Sequence, residues 1–279
     1  MKVGYAVLYT DGTLVISKNH TLLQKTIIKN YGEFEDTSIP WKNESRQIKK
    51  VQILDQIKSN CVKEWFEDCI NLTKLINFKN LDVSDCTDFS RLFSSCRSLQ
   101  DLNGLQNLDV SNGADFSYMF TYCVSLQALN GLQNLDVSNG TDFSYMFNNC
   151  KSLQDLNELQ NWNVSNGKDF SYMFRNCESL QNLNGLQNWN VSNGKDFFSM
   201  FNNCKSLQDL NELQNWNVSN GTEFSSMFEY CELLQNILVS STLSILRKDM
   251  FYNCNSTLKI HWKNHIYTYA DLLEYQTIY

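Results

Sequence analysis

The feature that most constrains this chain of 279 residues is a repeat of 27 residues. A cysteine recurs at every 27th position from Cys69 to Cys231, and the last step, to Cys254, is 23 residues long. Rows of phenylalanine, leucine and valine keep the same period, and residues 151–166 are identical to residues 205–220. A fixed period of this length is typical of stacked units, because so short a unit buries its apolar side only against its neighbours.

One unit, residues 96–122, predicts a short strand followed by a short helix or 3-10 segment. The spacing of Leu99, Leu102 and Leu105 is typical of the strand of a leucine-rich repeat. Asn112 lies in a Ser-Asn-Gly turn and is the predicted helix N-cap. The apolar residues that follow at helical spacing are Phe116, Met119, Phe120 and Cys123. The predicted fold is therefore an α/β solenoid, a leucine-rich repeat array with 27-residue rungs that has a parallel sheet on one face and short helices or 3-10 segments on the other.

The N-terminal segment does not share the repeat and predicts a cap. Alternating apolar residues before and after Asp11-Gly12 predict a β-hairpin within residues 1–19. Residues 20–48 are polar and predict a loop-rich continuation of this cap. Residues 48–57 then predict the first strand aligned with the array, and residues 62–66 predict its first short helix.

The C-terminal end predicts a second cap after a shortened unit. Residues 260–262 predict a last strand, and Thr268 with Asp271 predicts a capping box at the start of a helix over residues 269–276. Atypical terminal units of this kind cover the apolar ends of a repeat array. The predicted organisation is an N-terminal cap with a β-hairpin at 1–48, a leucine-rich repeat solenoid at 49–258 and a C-terminal cap of strand plus helix at 259–279.

The ten cysteines favour packing over chemistry. No Cys-x-x-Cys pair occurs, whereas a zinc site needs clustered ligands at short spacings. A cysteine at the end of an apolar stripe behaves as a small buried hydrophobic residue, so we expect free, buried thiols, with disulfides in part of the row as the alternative. We expect no metal site and no cofactor.

The repeat resembles the BspA-like leucine-rich repeat proteins of bacteria and some protists. The resemblance rests on the units LDVSNGADFSYMFTYC and WNVSNGKDFSYMFRNC, on the shorter MFYNCNSTL unit, and on IKKVQIL before EWFEDC at the entry. It covers about residues 48–262. It implies a surface or secreted protein that binds proteins of a host or of neighbouring cells, in the manner of an adhesin.

The first residues do not predict export. The opening MKVGYAVLYTDG lacks the long apolar run of a signal peptide, and no run of about 20 apolar residues predicts a membrane span. A cytoplasmic location is therefore the alternative to the cell surface or the medium, and an intracellular interaction scaffold is the alternative function.

The candidate binding face consists of polar positions beside the leucines of the predicted strands. Such positions form one continuous surface in a stacked array, and such surfaces bind proteins. The alternative is that amide side chains only hydrogen-bond along the stack. The candidate residues are Gln100, Asp101, Asn103, Gln127, Asn130, Gln154, Asp155, Asn157, Gln181, Asn182, Asn184, Gln208, Asp209 and Asn211.

Two other rows offer alternative sites. The segment from Asp109 to Asp115 places oxygen ligands around a glycine turn, which is a calcium alternative to turn capping, although Asn163 replaces the first aspartate in a later unit. The row Trp162, Trp189 and Trp216 would bind carbohydrate if it were exposed. Its register equals that of the row Leu81, Leu108 and Leu135, which favours a place in the core.

Composition and motifs argue against catalysis and against nucleic acid. His20, His261 and His265 all lie outside the array, and no nucleophile–base set or phosphate loop occurs, so we expect no catalytic residues. A formal net charge of −7 disfavours nucleic acid and anionic membrane surfaces. We expect a non-enzymatic monomer that binds a protein partner and does not insert into membranes.

Overall fold

The computed structural model describes residues 1–244, 246–275 and 277–278. Within these residues one apolar core runs the length of the chain, from Val3 near the N-terminus to Leu272 near the C-terminus. Three parts follow one another: an N-terminal sheet, a long central part made of turns, and a C-terminal group of short strands and one helix.

The N-terminal part is a five-stranded sheet with the order β3-β1-β2-β4-β6. The predicted hairpin is present, because β1 and β2 pair antiparallel on either side of Asp11-Gly12. β4 then pairs parallel with both β2 and β6, which carries the sheet into the first unit of the repeat. The strands are β1 (Lys2–Tyr9), β2 (Thr13–Ser17), β3 (Ile27–Glu35), β4 (Lys50–Ile53), β5 (Ile57–Lys58), β6 (Lys74–Ile76) and β7 (Leu81–Asp82).

The prediction of a loop over residues 20–48 is wrong in part. β3 lies within that segment and pairs antiparallel with β1, and a 3-10 helix follows at Lys42–Gln47. β3 forms the outer edge of the sheet, and of its residues only Phe34 is buried. An edge strand with so little burial lacks the apolar alternation by which a strand is recognised in sequence.

The short helices or 3-10 segments predicted over the apolar stripe of each 27-residue repeat unit are absent. Residues 83–235 contain no α-helix and no strand, only 3-10 helices at Asn157–Leu159 and Asn211–Leu213. Where the apolar stripe predicted a helix, the chain makes consecutive tight turns: Met119 N–H donates to Phe116 O at 3.3 Å, and Cys123 N–H donates to Phe120 O at 3.2 Å. Tyr118, at φ 60°, interrupts the right-handed helical backbone.

The turn segments pair sideways with the next unit. In residues 116–122 alternate N–H groups donate to the unit that follows: Phe116 to Asp142 O at 2.9 Å and Phe120 to Met146 O at 2.9 Å. The predicted strand segment has far less lateral pairing, such as Gln127 N–H to Gln100 O at 3.0 Å. Hydrogen bonding between neighbouring units is therefore concentrated in the segment that was predicted to be helical, such as residues 116–122. The predicted strand over Leu99, Leu102 and Leu105 is wrong.

The buried rows of the sequence are confirmed as columns of side chains. Phe120, Phe147 and Phe174 stack with ring centroids 5.5–5.6 Å apart, and all three are fully buried. All ten cysteines are free and all but Cys61 are buried, as expected. From Cys96 to Cys254, each thiol of the row donates to a phenylalanine carbonyl of the preceding unit, as Cys150 Sγ does to Phe120 O at 3.3 Å.

The C-terminal part closes the array with short strands and one helix. The capping box is confirmed: Thr268 N–H donates to Asp271 Oδ2 at 2.6 Å, and Asp271 N–H donates to Thr268 Oγ1 at 3.3 Å. The predicted last strand is present within β10, whereas β11 beside it was not predicted. The elements are β8 (Asn236–Leu238), β9 (Leu246–Arg247), a 3-10 helix at Lys248–Phe251, β10 (Lys259–Trp262), β11 (His265–Thr268), α1 (Tyr269–Tyr275) and β12 (Thr277–Ile278). Residue 276, the predicted end of the helix, lies outside the described residues, as does Ile245 in the shortened unit.

Candidate functional site

The residues of the predicted binding face lie side by side on the surface. The five glutamines and five asparagines are exposed, Asp101 is exposed, and the residues after the later glutamines (Asp155, Asn182, Asp209) are half-buried. Backbone bonds such as Gln154 N–H to Gln127 O at 3.4 Å place successive glutamines next to one another. We call this surface, made of the residues predicted above, the polar face.

The side chains of the polar face do not hydrogen-bond along the stack. Asp101 Oδ1 accepts from Asn103 N–H at 3.0 Å, and Asp155 Oδ1 accepts from Asn157 N–H at 3.2 Å, so these carboxylates hold local turns. In the described part of the chain, every side-chain hydrogen bond between members of the face stays within one unit, and none joins two units. The amides of its glutamines are therefore available to a partner.

A column of asparagine side chains that bond from unit to unit does exist, but its members lie outside the polar face. Asn139 Nδ2 donates to Ser111 O at 2.7 Å, and Asn166 Nδ2 donates to Ser138 O at 2.7 Å. Asn112 begins this column by donating to Ser84 O, so its predicted role as a helix N-cap is wrong. No helix follows it, and its side chain joins two units instead.

The aspartates considered as calcium ligands each hold a turn. Asp109 Oδ1 accepts from Ser111 N–H at 3.1 Å, and Asp115 Oδ1 accepts from Ser117 N–H at 2.8 Å. Asn163 performs the same role towards Ser165 N–H at 3.1 Å, which an amide oxygen does as well as a carboxylate. Within the described residues no group of three or more His, Cys, Asp or Glu side chains is placed to hold a metal ion.

The tryptophan row lies in the core, as its register predicts. Trp162, Trp189 and Trp216 are 2–4% exposed, and each indole N–H donates to a leucine carbonyl of the preceding unit, as Trp189 does to Leu159 O at 3.0 Å. These rings present no face to solvent. Carbohydrate binding through this row, the third alternative drawn from the sequence, is therefore wrong.

The turn segments carry a surface that the sequence analysis did not single out. Tyr118, Tyr145 and Tyr172 stack face to face, with ring centroids 4.4 and 4.3 Å apart. The Arg91 guanidinium lies 4.3 Å from the Tyr118 ring centroid, and that of Arg175 lies 5.4 Å from the Tyr172 ring centroid. We call these three rings with their two arginines the tyrosine stack.

A surface groove of about 540 Å³ runs along the tyrosine stack. We call it the tyrosine groove. Stacked copies of one turn create it, because every unit presents the same two positions there with φ near 60°, as at Tyr118 and Tyr122. Its lining residues are Glu67, Arg91, Ser94, Ser95, Tyr118, Thr121, Tyr122, Tyr145, Asn148, Asn149, Arg175 and Asn176.

The charged groups of the groove are two arginines and one glutamate. Glu67 lies 3.7 Å from Arg91. Burial, followed by the nearby charges of Glu64 and Asp68, raises the pKa of the Glu67 carboxyl. Burial also raises the pKa of the Tyr145 phenol. Its hydroxyl, protonated at neutral pH like that of any tyrosine, is a hydrogen-bond donor.

The signal that marks this groove in the sequence is variation between the copies. The polar face repeats glutamine at one position in five successive units, whereas the position of Tyr118 holds four different residue types across the units. Comparing copies position by position would have found it. In chain order that position holds Glu64, Arg91, Tyr118, Tyr145, Tyr172, Ser199 and Ser226, and the position three residues later holds Glu67, Ser94, Thr121, Asn148, Arg175, Asn202 and Glu229.

Solved structures similar to this one are leucine-rich repeat proteins of gut bacteria. One from Bacteroides ovatus has 15% identity and a TM-score of 0.41, with 97% of this chain and 80% of that chain covered. A leucine rich cell surface protein from Faecalibacterium prausnitzii has 15% identity and a TM-score of 0.29, with 95% of each chain covered. One from Eubacterium ventriosum has 14% identity and a TM-score of 0.31, with 94% of this chain and 96% of that chain covered.

No curated protein matches the chain. Among the described residues, no helix has the length and apolar character needed to cross a membrane. One family model matches the repeats twice, over residues 60–185 and 154–262, which together make up more than half of the chain. The chain therefore belongs to the family described as "Mycoplasma protein of unknown function, DUF285".

Proposed function

We propose that this chain is a non-enzymatic repeat module that binds proteins. The polar face carries the proposal, because it presents an exposed glutamine and an exposed asparagine in each of five successive units without using the glutamine amides internally. A surface of equal, regularly spaced groups suits an extended or repetitive partner, since each added unit contributes a further weak contact. The chain would act as a monomer, without cofactor, nucleic acid or membrane insertion.

The histidines support a role without catalysis. His20 stacks on the Tyr5 ring at 5.3 Å, and His261 shares a hydrogen bond of 2.6 Å with Asn236. His265 contacts Lys263 O at 3.0 Å. Each ring has a packing or hydrogen-bonding role near an end of the array, and no nucleophile accompanies it in these contacts.

The location that we propose is the cell surface or the medium. The resemblance to BspA-like proteins supports an adhesin-like role towards proteins of a host or of neighbouring cells. The alternative is an intracellular interaction scaffold, which the ten free thiols favour because reducing compartments keep cysteines unpaired. Fractionating the native host cells separates the two: recovery in the envelope or medium excludes the scaffold, and recovery in the cytoplasm alone excludes the adhesin.

Binding is tested with the whole chain on a biosensor against a panel of purified extracellular matrix proteins. The informative variant is the triple change Gln127→Lys, Gln154→Lys and Gln181→Lys, which places bulky charges on the polar face. We expect it to weaken binding by about tenfold or more, because the lysines replace the glutamine amides and place charge at the centre of the interface. If no matrix protein binds, the adhesin proposal fails.

A matched control carries the same added charge elsewhere. Asn134, Asn161 and Asn188 are also exposed, and their side chains make no hydrogen bond within the described residues. The triple change Asn134→Lys, Asn161→Lys and Asn188→Lys should leave binding within about twofold, because it adds charge without touching the polar face. Equal losses in the two triple variants would show that the polar face is not the binding surface.

A further inference from the structure

The tyrosine stack offers ring edges and hydroxyl groups rather than ring faces. Tyr145 has Tyr118 on one face and Tyr172 on the other, at centroid distances of 4.4 and 4.3 Å. Arg91 covers the outer face of Tyr118, and Phe198 packs edge-on against Tyr172 at 5.0 Å. A ligand in the groove therefore meets hydroxyl groups, amides and guanidinium groups.

The two arginines retain hydrogen-bonding capacity. Arg91 lies 3.7 Å from Glu67, beyond hydrogen-bond distance, and its side chain donates to no described residue. Arg175 uses Nε for one long bond to Asn202 Oδ1, at 3.4 Å, and forms no ion pair among the described residues. Both guanidinium groups thus keep N–H donors that fit a carboxylate.

The charge of the groove is opposite to that of the chain. Its charged lining groups sum to a positive charge, whereas the chain has a formal net charge of −7. The positive groups of the groove attract negative charge on a ligand, and the acidic remainder of the surface repels it, so an acidic ligand would bind at the groove rather than elsewhere. The groove is therefore complementary to an acidic segment.

We propose that the tyrosine groove binds an extended acidic peptide segment of a partner protein, with one carboxylate at Arg91 and another at Arg175. This inference rests on the proposed function, since it names the chemistry of a protein partner. Of the amides that line the groove, that of Asn148 is buried and bonded to Thr121 and Asn149. Asn149 Oδ1 and Asn176 Nδ2 bond to no described residue, so they offer an acceptor and a donor that match a peptide group.

The length of the stack sets the spacing of the acidic residues. The four successive stacking distances of 4.3, 4.4, 4.3 and 5.4 Å put the two guanidinium groups at most about 18 Å apart. An extended chain rises about 3.4 Å per residue. The two acidic residues of the ligand should therefore lie no more than about five positions apart.

An acidic polysaccharide fits these observations less well. Sugar rings pack their C–H groups against the faces of aromatic rings, and the Tyr145 faces are both covered. A peptide needs only the edges, hydroxyl groups and amides that the groove presents. The polysaccharide remains an outcome of the test below, read from a labelled hyaluronate probe.

The test uses fluorescence anisotropy with the full chain and labelled peptides of about twelve residues that are uncharged except for two glutamates. In three peptides the glutamates are separated by about two, five or eight positions, and a fourth carries glutamine in their place at the middle spacing. We expect the middle spacing to bind about tenfold tighter than its glutamine counterpart and about fivefold tighter than the other spacings.

The variants Arg91→Gln and Arg175→Gln should each weaken binding of the middle peptide by about fivefold or more. Arg175→Gln breaks no ion pair of the described residues, so it isolates ligand binding from folding, and an unchanged melting temperature verifies this. The control is Lys168→Gln with Lys195→Gln, which removes two exposed positive charges outside the groove. It should change binding by less than about twofold.

Three results would overturn the inference: equal affinity for the glutamate and glutamine peptides, equal affinity at all spacings, or equal losses in the control. Tighter binding of hyaluronate than of every peptide, lost in the same arginine variants, would also overturn it in favour of a polysaccharide. Failure here is separate from failure of the proposed function, because matrix-protein binding that depends on the polar face would persist in the arginine variants.

Discussion

The N-terminal sheet and the central units hold their chains together in different ways. β1 and β2 pair over four successive residues, from Tyr5 opposite Ser17 to Leu8 opposite Leu14. Neighbouring central units share a single bridge, such as Asp115 beside Asp142, and add bonds from alternate N–H groups of the turns. In the sheet, backbone hydrogen bonds between strands hold neighbouring segments together. In the central units such bonds are fewer, and columns of identical side chains provide much of the contact between units.

This difference follows from the sequence of each part. β1 is rich in apolar residues and buried on both faces, and it pairs along its length with β2 and β3. The central units are near-copies, so identical side chains meet in register: phenylalanines stack, thiols donate to carbonyls and asparagines bridge successive turns. Stability in such a stack is a sum over neighbouring interfaces. Substitutions within the columns test this comparison.

The largest effect is expected in the phenylalanine column. Phe147→Ala should lower the free energy of unfolding by about 3–5 kcal/mol, because a fully buried ring that contacts Phe120 and Phe174 leaves a cavity. Phe198→Ala removes a half-buried ring outside the column and should cost about 1 kcal/mol. Urea denaturation measures both. Similar losses would show that the column is no more important than a surface aromatic residue.

A smaller effect is expected in the asparagine column. Asn166→Ala removes the bond from Nδ2 to Ser138 O and should lower the free energy of unfolding by about 0.5–1 kcal/mol. Asn161→Ala, at an exposed position whose side chain makes no hydrogen bond within the described residues, should be neutral to within about 0.5 kcal/mol. If the two variants unfold at the same denaturant concentration, the column does not stabilise the units.

The smallest effect has the opposite sign and depends on pH. Burial, followed by the charges of Asp169 and Asp115, raises the pKa of the Asp142 carboxyl, so the charged form destabilises the folded state. Asp142→Asn keeps an oxygen for Ser144 N–H and should raise stability by about 0.5 kcal/mol at neutral pH. The gain should be present above the folded pKa and disappear below about pH 3.8, the ordinary value. Thermal unfolding between acid and neutral pH measures it.

Asp136→Asn is the matched variant with the reverse expectation. Hydrogen bonds from Ser138 lower the pKa of Asp136, so its charged form stabilises the fold above the ordinary pKa, and this contribution is lost as the pH falls through the folded pKa. Its replacement should therefore lower stability slightly at neutral pH. If Asp142→Asn and Asp136→Asn behave alike across the pH range, burial and the neighbouring carboxylates do not destabilise the charged form of Asp142.

Short sequence patterns predicted some elements of the two terminal parts, and the repeat predicted most of the buried residues. The hairpin around Asp11-Gly12 and the capping box of Thr268 and Asp271 are local, so a few residues suffice to specify them. β3 and β11 were missed because edge strands exposed to solvent carry little apolar pattern. The polar face was placed on the surface as expected, whereas the tyrosine groove depends on contacts between units that no single unit reveals.

The sequence by itself determined which side chains are buried and how often they recur. The spacing of Phe116, Met119, Phe120 and Cys123 predicted a buried stripe, and all four residues are buried. A helix and a series of tight turns bury that stripe equally, so the pattern does not distinguish them. Only the tertiary structure decided for turns, because the N–H groups of Phe116 and Phe120 find their acceptors in the adjacent unit rather than one helical turn back.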